Sequence, residues 1–300
     1  MARRATAVTR RTLLASAIGA CAASLLPRRA DALGVPLGFM LHAVRSQAAA
    51  DLPGTLRRIA ALGYAEVELV SFPGYASPAP RDGFGPLASI SPAQIRSVIR
   101  DAGLSVASAH FKFEEFQGAR LNESIAWARG VGLEFMTISD MPAAATLNEW
   151  RQRFDALVGL GERIGREGLR LALHTQNDFW REIGGATVMD HLLRHVPADR
   201  CAIQLDLSTT QSMGVEPVAF LARNRGRVFA LHLRDAPAPA QRGGYVFSVP
   251  LGRGDLDLPA IIDMARTAGV EKYIVEMQMQ APADPIDGLR LSAEYLRRLA

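Results

Sequence analysis

Between Val35 and the C-terminus, short apolar runs alternate eight times with segments of helical spacing. The runs are 35–42 (VPLGFMLH), 65–70 (AEVELV), 104–110 (LSVASAH), 133–139 (LEFMTIS), 169–175 (LRLALHT), 201–206 (CAIQLD), 228–235 (VFALHLRD) and 272–277 (KYIVEM). Helical stretches separate them at 52–63, 91–103, 121–132, 147–168, 184–196, 216–224 and 258–269, and a last one closes the chain at 285–300. Ser91 and Pro92 read as an N-cap and the first helical residue behind it. Strand–helix–strand repetition requires parallel strands, and eight units in roughly 250 residues match a closed barrel. The sequence therefore predicts an α/β fold, a (β/α)8 TIM barrel forming one domain over 33–300. An open doubly wound sheet would place a Gly-rich turn after the first strand, and GFMLHAVRS has none.

A barrel of this kind carries its chemistry at the C-terminal ends of its strands. The polar residues at those ends are His42, Glu68, His110, Asp140, His174, Gln176, Asp206, His232 and Glu276. Four of the six histidines fall there; His191 and His195 lie on a helix. His174, Asp206, His232 and Glu276 come from four successive strands, neighbours around a barrel. Two imidazoles and two carboxylates suit a borderline divalent cation such as Mn²⁺, Zn²⁺ or Co²⁺. The favoured chemistry is deprotonation beside a carbonyl, with Glu276 as base, Glu68 as a second candidate and His110 as the paired acid. His42 and Arg45 are expected to contact substrate, and Arg234 to pair with Asp206 or Asp235. The long loops 71–90 and 236–256 shape the pocket, and Gly252-Arg253-Gly254 reads as a plain turn or, alternatively, as a lid.

The first 32 residues differ in character. They hold six of the 34 basic residues and one of the 30 acidic ones, so 28 basic and 29 acidic remain, a formal charge of −1. The folded part has no general attraction to polyanions, which argues against a nucleic-acid partner. Thr9-Arg10-Arg11-Thr12-Leu13-Leu14, followed by the apolar stretch to Leu26, resembles a twin-arginine export signal, with Ala30-Asp31-Ala32 as its cleavage site. Residues 1–32 would then engage an export machinery and place the protein in the periplasm or outside the cell. Cys21 follows a loose lipoprotein box, the alternative being a lipid anchor. After cleavage only Cys201 remains, so no internal disulfide forms.

Several stretches together resemble the xylose isomerase-like TIM-barrel superfamily, the sugar phosphate isomerase/epimerase group that includes inosose dehydratases and endonuclease IV. They are LHAVR (41–45), GYAEVEL (63–69), GLSVASAH (103–110), LALHTQ (171–176), QLDLST (204–209), LHLRD (231–235), LGRGDLD (251–257) and YIVEMQ (273–278). The resemblance spans nearly all of 35–300. It implies one divalent metal ion (Mn, Zn, Co or Mg) held by His174, Asp206, His232 and Glu276, and a small carbohydrate substrate. It also implies proton transfer through an enediolate. The fifth strand departs from the pattern. Relatives carry a glutamate ligand or a His-Asn-His run where this chain reads His174-Thr175-Gln176, so either His174 or Gln176 could complete the metal sphere. Two-glutamate proton exchange is put in doubt. The alternatives are a keto-glycoside lyase or dehydratase, and a non-catalytic carbohydrate-binding barrel; a homo-oligomer is compatible with either. Endonuclease chemistry is disfavoured, since Thr209 stands where a further histidine ligand is expected.

Overall fold

The structure, a computed structural model, describes residues 33–77, 83–237, 247–278 and 284–299. The expected leader 1–32, with Cys21, lies outside the described residues. Eight parallel strands close into a barrel: β1 Leu37–Met40, β2 Glu66–Val70, β3 Ser105–Lys112, β4 Phe135–Asp140, β5 Arg170–His174, β6 Ala202–Asp206, β7 Val228–Leu233 and β8 Lys272–Val275. Each strand pairs with the next in sequence, and β8 closes onto β1 through Leu37–Tyr273, Gly38–Ile274 and Phe39–Val275.

The strands are buried on both faces, as parallel barrels require. Alternate residues such as Leu69, Leu205, Leu231 and Leu233 join the hydrophobic core. The intervening residues Glu66, Glu68, Gln204, Asp206, His232 and Glu276 are buried and polar. A period of two sends these two sets to opposite faces, apolar toward the helices and polar into the barrel. The register shifts where Val67 and Glu68 on β2 face Val106 and Ser108 on β3, and where Ile203 and Gln204 on β6 face Val228 and Ala230 on β7, which leaves Ala107 and Phe229 as the extra residues.

The helices begin where their caps dictate. Ser91 accepts from the Gln94 amide and Gln94 returns a bond to the Ser91 amide, ahead of Pro92–Asp101. Thr146 and Thr187 do the same for Leu147–Gly165 and Val188–His195. Among the described residues, no helix is long and apolar enough to cross a membrane.

The structure corrects one expectation and extends others. His42 does not end a strand: β1 stops at Met40, and His42 lies in a 3₁₀ turn, Leu41–Val44. That turn runs into an unforeseen short helix, Arg45–Ala50. A further helix follows β6. Asp206 accepts from the Thr209 amide and so caps a helix, Leu207–Ser212. Of the two readings of Gly252-Arg253-Gly254, the tethered turn holds. The buried Asp235 carboxylate accepts the Gly252 and Gly254 amides at 2.8 and 2.9 Å and that of Leu256 at 3.4 Å. Asp235 also pairs with Val249, which pins this stretch against the end of β7.

Candidate active site

The C-terminal mouth gathers side chains from at least six strands. Asp206, His232 and Glu276 place one ligand atom each within 4.8 Å of one another, and His110, His174 and His232 do the same. Asp206 and His232 are fully buried, and Glu276 is 4% exposed. In register, Asp206 on β6 pairs with His232 on β7, and His174 on β5 with Gln204 on β6.

Each of these groups has one atom already committed. Asp206 Oδ1 accepts from Ser208 Oγ at 2.9 Å and the Thr209 amide at 2.7 Å. Glu276 Oε1 accepts from Gln278 Nε2 at 2.9 Å. His232 Nε2 meets Glu68 Oε2 at 2.5 Å, and His174 Nδ1 meets Gln204 Oε1 at 2.9 Å. The atoms turned toward one another are Asp206 Oδ2, which also accepts from Arg234 Nη1 at 3.0 Å, Glu276 Oε2, His232 Nδ1 and His174 Nε2. His232 Nδ1 and Glu276 Oε2 are 2.9 Å apart, and His174 Nε2 is 3.9 Å from Asp206 Oδ2. Two carboxylate oxygens and two imidazole nitrogens, each braced from behind, form a donor set that fits a divalent cation of the Mn²⁺ or Zn²⁺ kind.

The local electrostatics are those of a charge-dense, buried cluster. Burial alone would lower the His232 pKa, but the Glu68 and Glu276 carboxylates outweigh it and push the ring up to about 10. Burial would raise Glu68, yet His110, His232 and Ser108 hold it down to about 2. Burial and the neighbouring imidazoles depress His174 to about 3, so it is neutral at physiological pH. Against burial, Arg234 draws both Asp206 and Glu276 below the usual carboxylate range. Its Nη1 is 3.0 Å from Asp206 Oδ2, while Ser248 and Gln278 brace the rest of the guanidinium. Arg234 therefore pairs with Asp206, as anticipated, and Asp235 serves the loop instead.

Two adjoining cavities open above this centre, of about 380 and 630 Å³, sharing His42, His174, Gln176 and Gln278. The smaller also reaches His110, Lys112, Arg234 and Glu276, and the larger reaches Arg45. Of the nine residues singled out in sequence, the structure brings eight to the cavities or the ligand cluster. Gln176 stays outside the ligand cluster; its amide nitrogen donates to the Ser139 carbonyl at 3.0 Å. Glu68 is the ninth. It lies beneath the histidines with no exposed surface, and both its oxygens hold partners: Ser108 and Gln204 on Oε1, His232 on Oε2. It cannot reach a substrate in the cavity, which leaves Glu276 as the better placed base.

Sequence reasoning missed Gln204, Gln278, Ser108 and Ser248. Gln204 lies two residues before Asp206, and Gln278 two beyond Glu276. Strand alternation alone could have flagged both. Further out, Glu115 accepts from Ser71 Oγ and the Lys112 amide at 2.5 and 2.8 Å, tethering the turn that carries Tyr75. Tyr75 lines the smaller cavity and donates to Ser139 Oγ at 2.7 Å. Burial pushes Glu115 up to about 7.

The family model for the xylose isomerase-like TIM barrel matches residues 56–299. The chain belongs to that family. Solved structures share the fold. A sugar phosphate isomerase/epimerase from Parabacteroides distasonis is 18% identical with a TM-score of 0.72, covering 88% of this chain and 94% of that one. An L-ribulose 3-epimerase is 16% identical, with a TM-score of 0.63 and coverage of 88% and 96%. The IOLI protein with a bound zinc atom is 16% identical, with a TM-score of 0.64 and coverage of 89% and 95%. No curated protein matches the chain.

Proposed function

We propose that this family member is an exported, divalent-metal-dependent isomerase or epimerase that moves a proton next to the carbonyl of a keto-sugar or related polyol. The observation that carries the reading is the convergence of Asp206 Oδ2, Glu276 Oε2, His232 Nδ1 and His174 Nε2, each braced on its far side. Similar folds that act as a sugar epimerase or hold zinc support it. His174, Asp206, His232 and Glu276 would hold the ion. When bound, a divalent metal acts as a Lewis acid on a carbonyl and its neighbouring hydroxyl, easing formation of an enediolate.

The chain's own residues do the rest. Glu276 reaches the cavity, and Gln278 fixes one of its oxygens so that the other faces inward; it takes the proton from carbon. His110, lining the same cavity, is the second proton carrier. Arg234 keeps Asp206 and Glu276 ionised. His42, Arg45 and Gln176 line the cavities where sugar hydroxyls would sit. Burial of the reacting groups strengthens each of these interactions over its value in water.

The test is metal analysis of purified protein followed by turnover of a keto-sugar panel in D₂O. Stoichiometric metal with deuterium incorporated at a carbon next to the carbonyl supports the reading. Loss of a β-substituent would make the protein a lyase. Metal-free protein that binds sugars without exchange would make it a binding barrel.

A further inference from the structure

One fully buried amide touches three groups of the site at once. Gln204 Oε1 lies 2.6 Å from His110 Nε2 and 2.9 Å from His174 Nδ1, while Gln204 Nε2 donates to Glu68 Oε1 at 2.7 Å. We propose that Gln204 is a positioning residue that sets the tautomers of His110 and His174 together, and so decides which nitrogen each ring offers to the cavity.

The orientation of the amide follows from Glu68. That carboxylate already accepts from Ser108 on the same oxygen that faces Gln204. An amide nitrogen there completes an acceptor's needs, whereas an amide oxygen would set two acceptors face to face. With the nitrogen so placed, Oε1 must face both rings. A carbonyl oxygen only accepts, so both rings must donate: His110 from Nε2, His174 from Nδ1. His174 is left with its lone pair on Nε2, the nitrogen 3.9 Å from Asp206 Oδ2. His110 is left with its lone pair on Nδ1. A neutral His110 therefore accepts a proton at Nδ1 before it can donate one there.

Glu68 extends the control to a third ring, since its Oε2 takes His232 Nε2 and leaves His232 Nδ1 toward Glu276 and Asp206. A single anion and a single amide thus fix three imidazoles.

The tautomers are read directly from long-range ¹H–¹⁵N correlation spectra of the metal-free protein at neutral pH. The expected pattern is a protonated Nδ1 for His174 and a protonated Nε2 for His110. Gln204→Met keeps the volume and removes both functions; it should mix the tautomers and weaken Mn²⁺ binding by ~10–100-fold. A wild-type His174 protonated on Nε2 would overturn the proposal, as would a Gln204→Met protein with unchanged spectra and Mn²⁺ affinity. If that variant does not fold, the wild-type spectrum decides alone. The Mn²⁺ arm rests on the metal reading given above. Wild-type protein that binds no Mn²⁺ would remove that reading, while the spectra would still test the tautomers.

Discussion

The two ends of the barrel are built from the same strands and handle charge in opposite ways. On β2, Glu66 faces the N-terminal end and Glu68 the mouth. At the N-terminal end charges close on themselves. Lys272 Nζ sits 2.7 Å from Glu66 Oε1, and Arg170 meets Glu134 and Glu271 at 3.2 and 3.1 Å. The Arg170 guanidinium also lies over the Phe135 ring, which stacks on Phe229. At the mouth, three buried carboxylates, Glu68, Asp206 and Glu276, meet one guanidinium, Arg234, and one imidazolium, His232. Among these buried groups the carboxylates outnumber the cations. A closed pair serves the fold, and an open, anion-rich cluster has capacity for a cation.

The sharpest way to break this contrast is Glu276→Gln. It should lower kcat by ~10²–10⁴-fold with little change in melting temperature, measured by turnover beside a thermal melt. A variant with full turnover would remove Glu276 as base. At the other end, Lys272→Met leaves Glu66 buried and unpaired. Denaturant unfolding should show a loss of about 3 kcal/mol, with Mn²⁺ affinity unchanged by calorimetry. An equal loss of metal binding would mean that the two ends are not independent.

The mouth should also gain stability from its cation where the N-terminal end gains none. At a free Mn²⁺ concentration 100 times Kd, unfolding should cost about 2.7 kcal/mol more than in the apo protein. That gain should vanish in Asp206→Asn. Binding should strengthen as pH rises, because the proton shared by His232 and Glu276 must leave.

Glu115 supplies a pH test on the rim. Its folded pKa of about 7 lies above the ordinary 4.5, so the fold binds its proton more tightly than the unfolded chain does. Its contribution is fully present below about pH 4.5 and is lost as pH rises through about 7. Glu115→Gln should flatten that part of the stability profile, read from melts across the range. An unchanged profile would count against a buried, protonated Glu115. The smallest effect is expected at Arg170→Ala, whose exposed ion pairs are worth ~0.2–1 kcal/mol and whose loss should leave turnover untouched.

The barrel was legible because its pattern repeats and each repeat is an element of ordinary length. The polar cluster was legible because strand ends are few and three of the histidines, His110, His174 and His232, stand there. Depth was not legible. Glu66 and Glu68 share one strand and one face, and nothing in their spacing says that one meets Lys272 while the other lies under three histidines. Nor does alternation reveal that β1 ends at Met40, which moves His42 into a turn. The helix after β6 was hidden because Asp206 reads as a ligand, although the same carboxylate also caps Leu207–Ser212.

The three amide bonds to Asp235 carry a consequence for how new specificities could be acquired. They moor the stretch 252–256 to the end of β7, apart from the polar cluster on β6, β7 and β8. Under the proposed reading, changes of specificity at the rim should spare Asp235, because its loss would release that stretch beside the cluster.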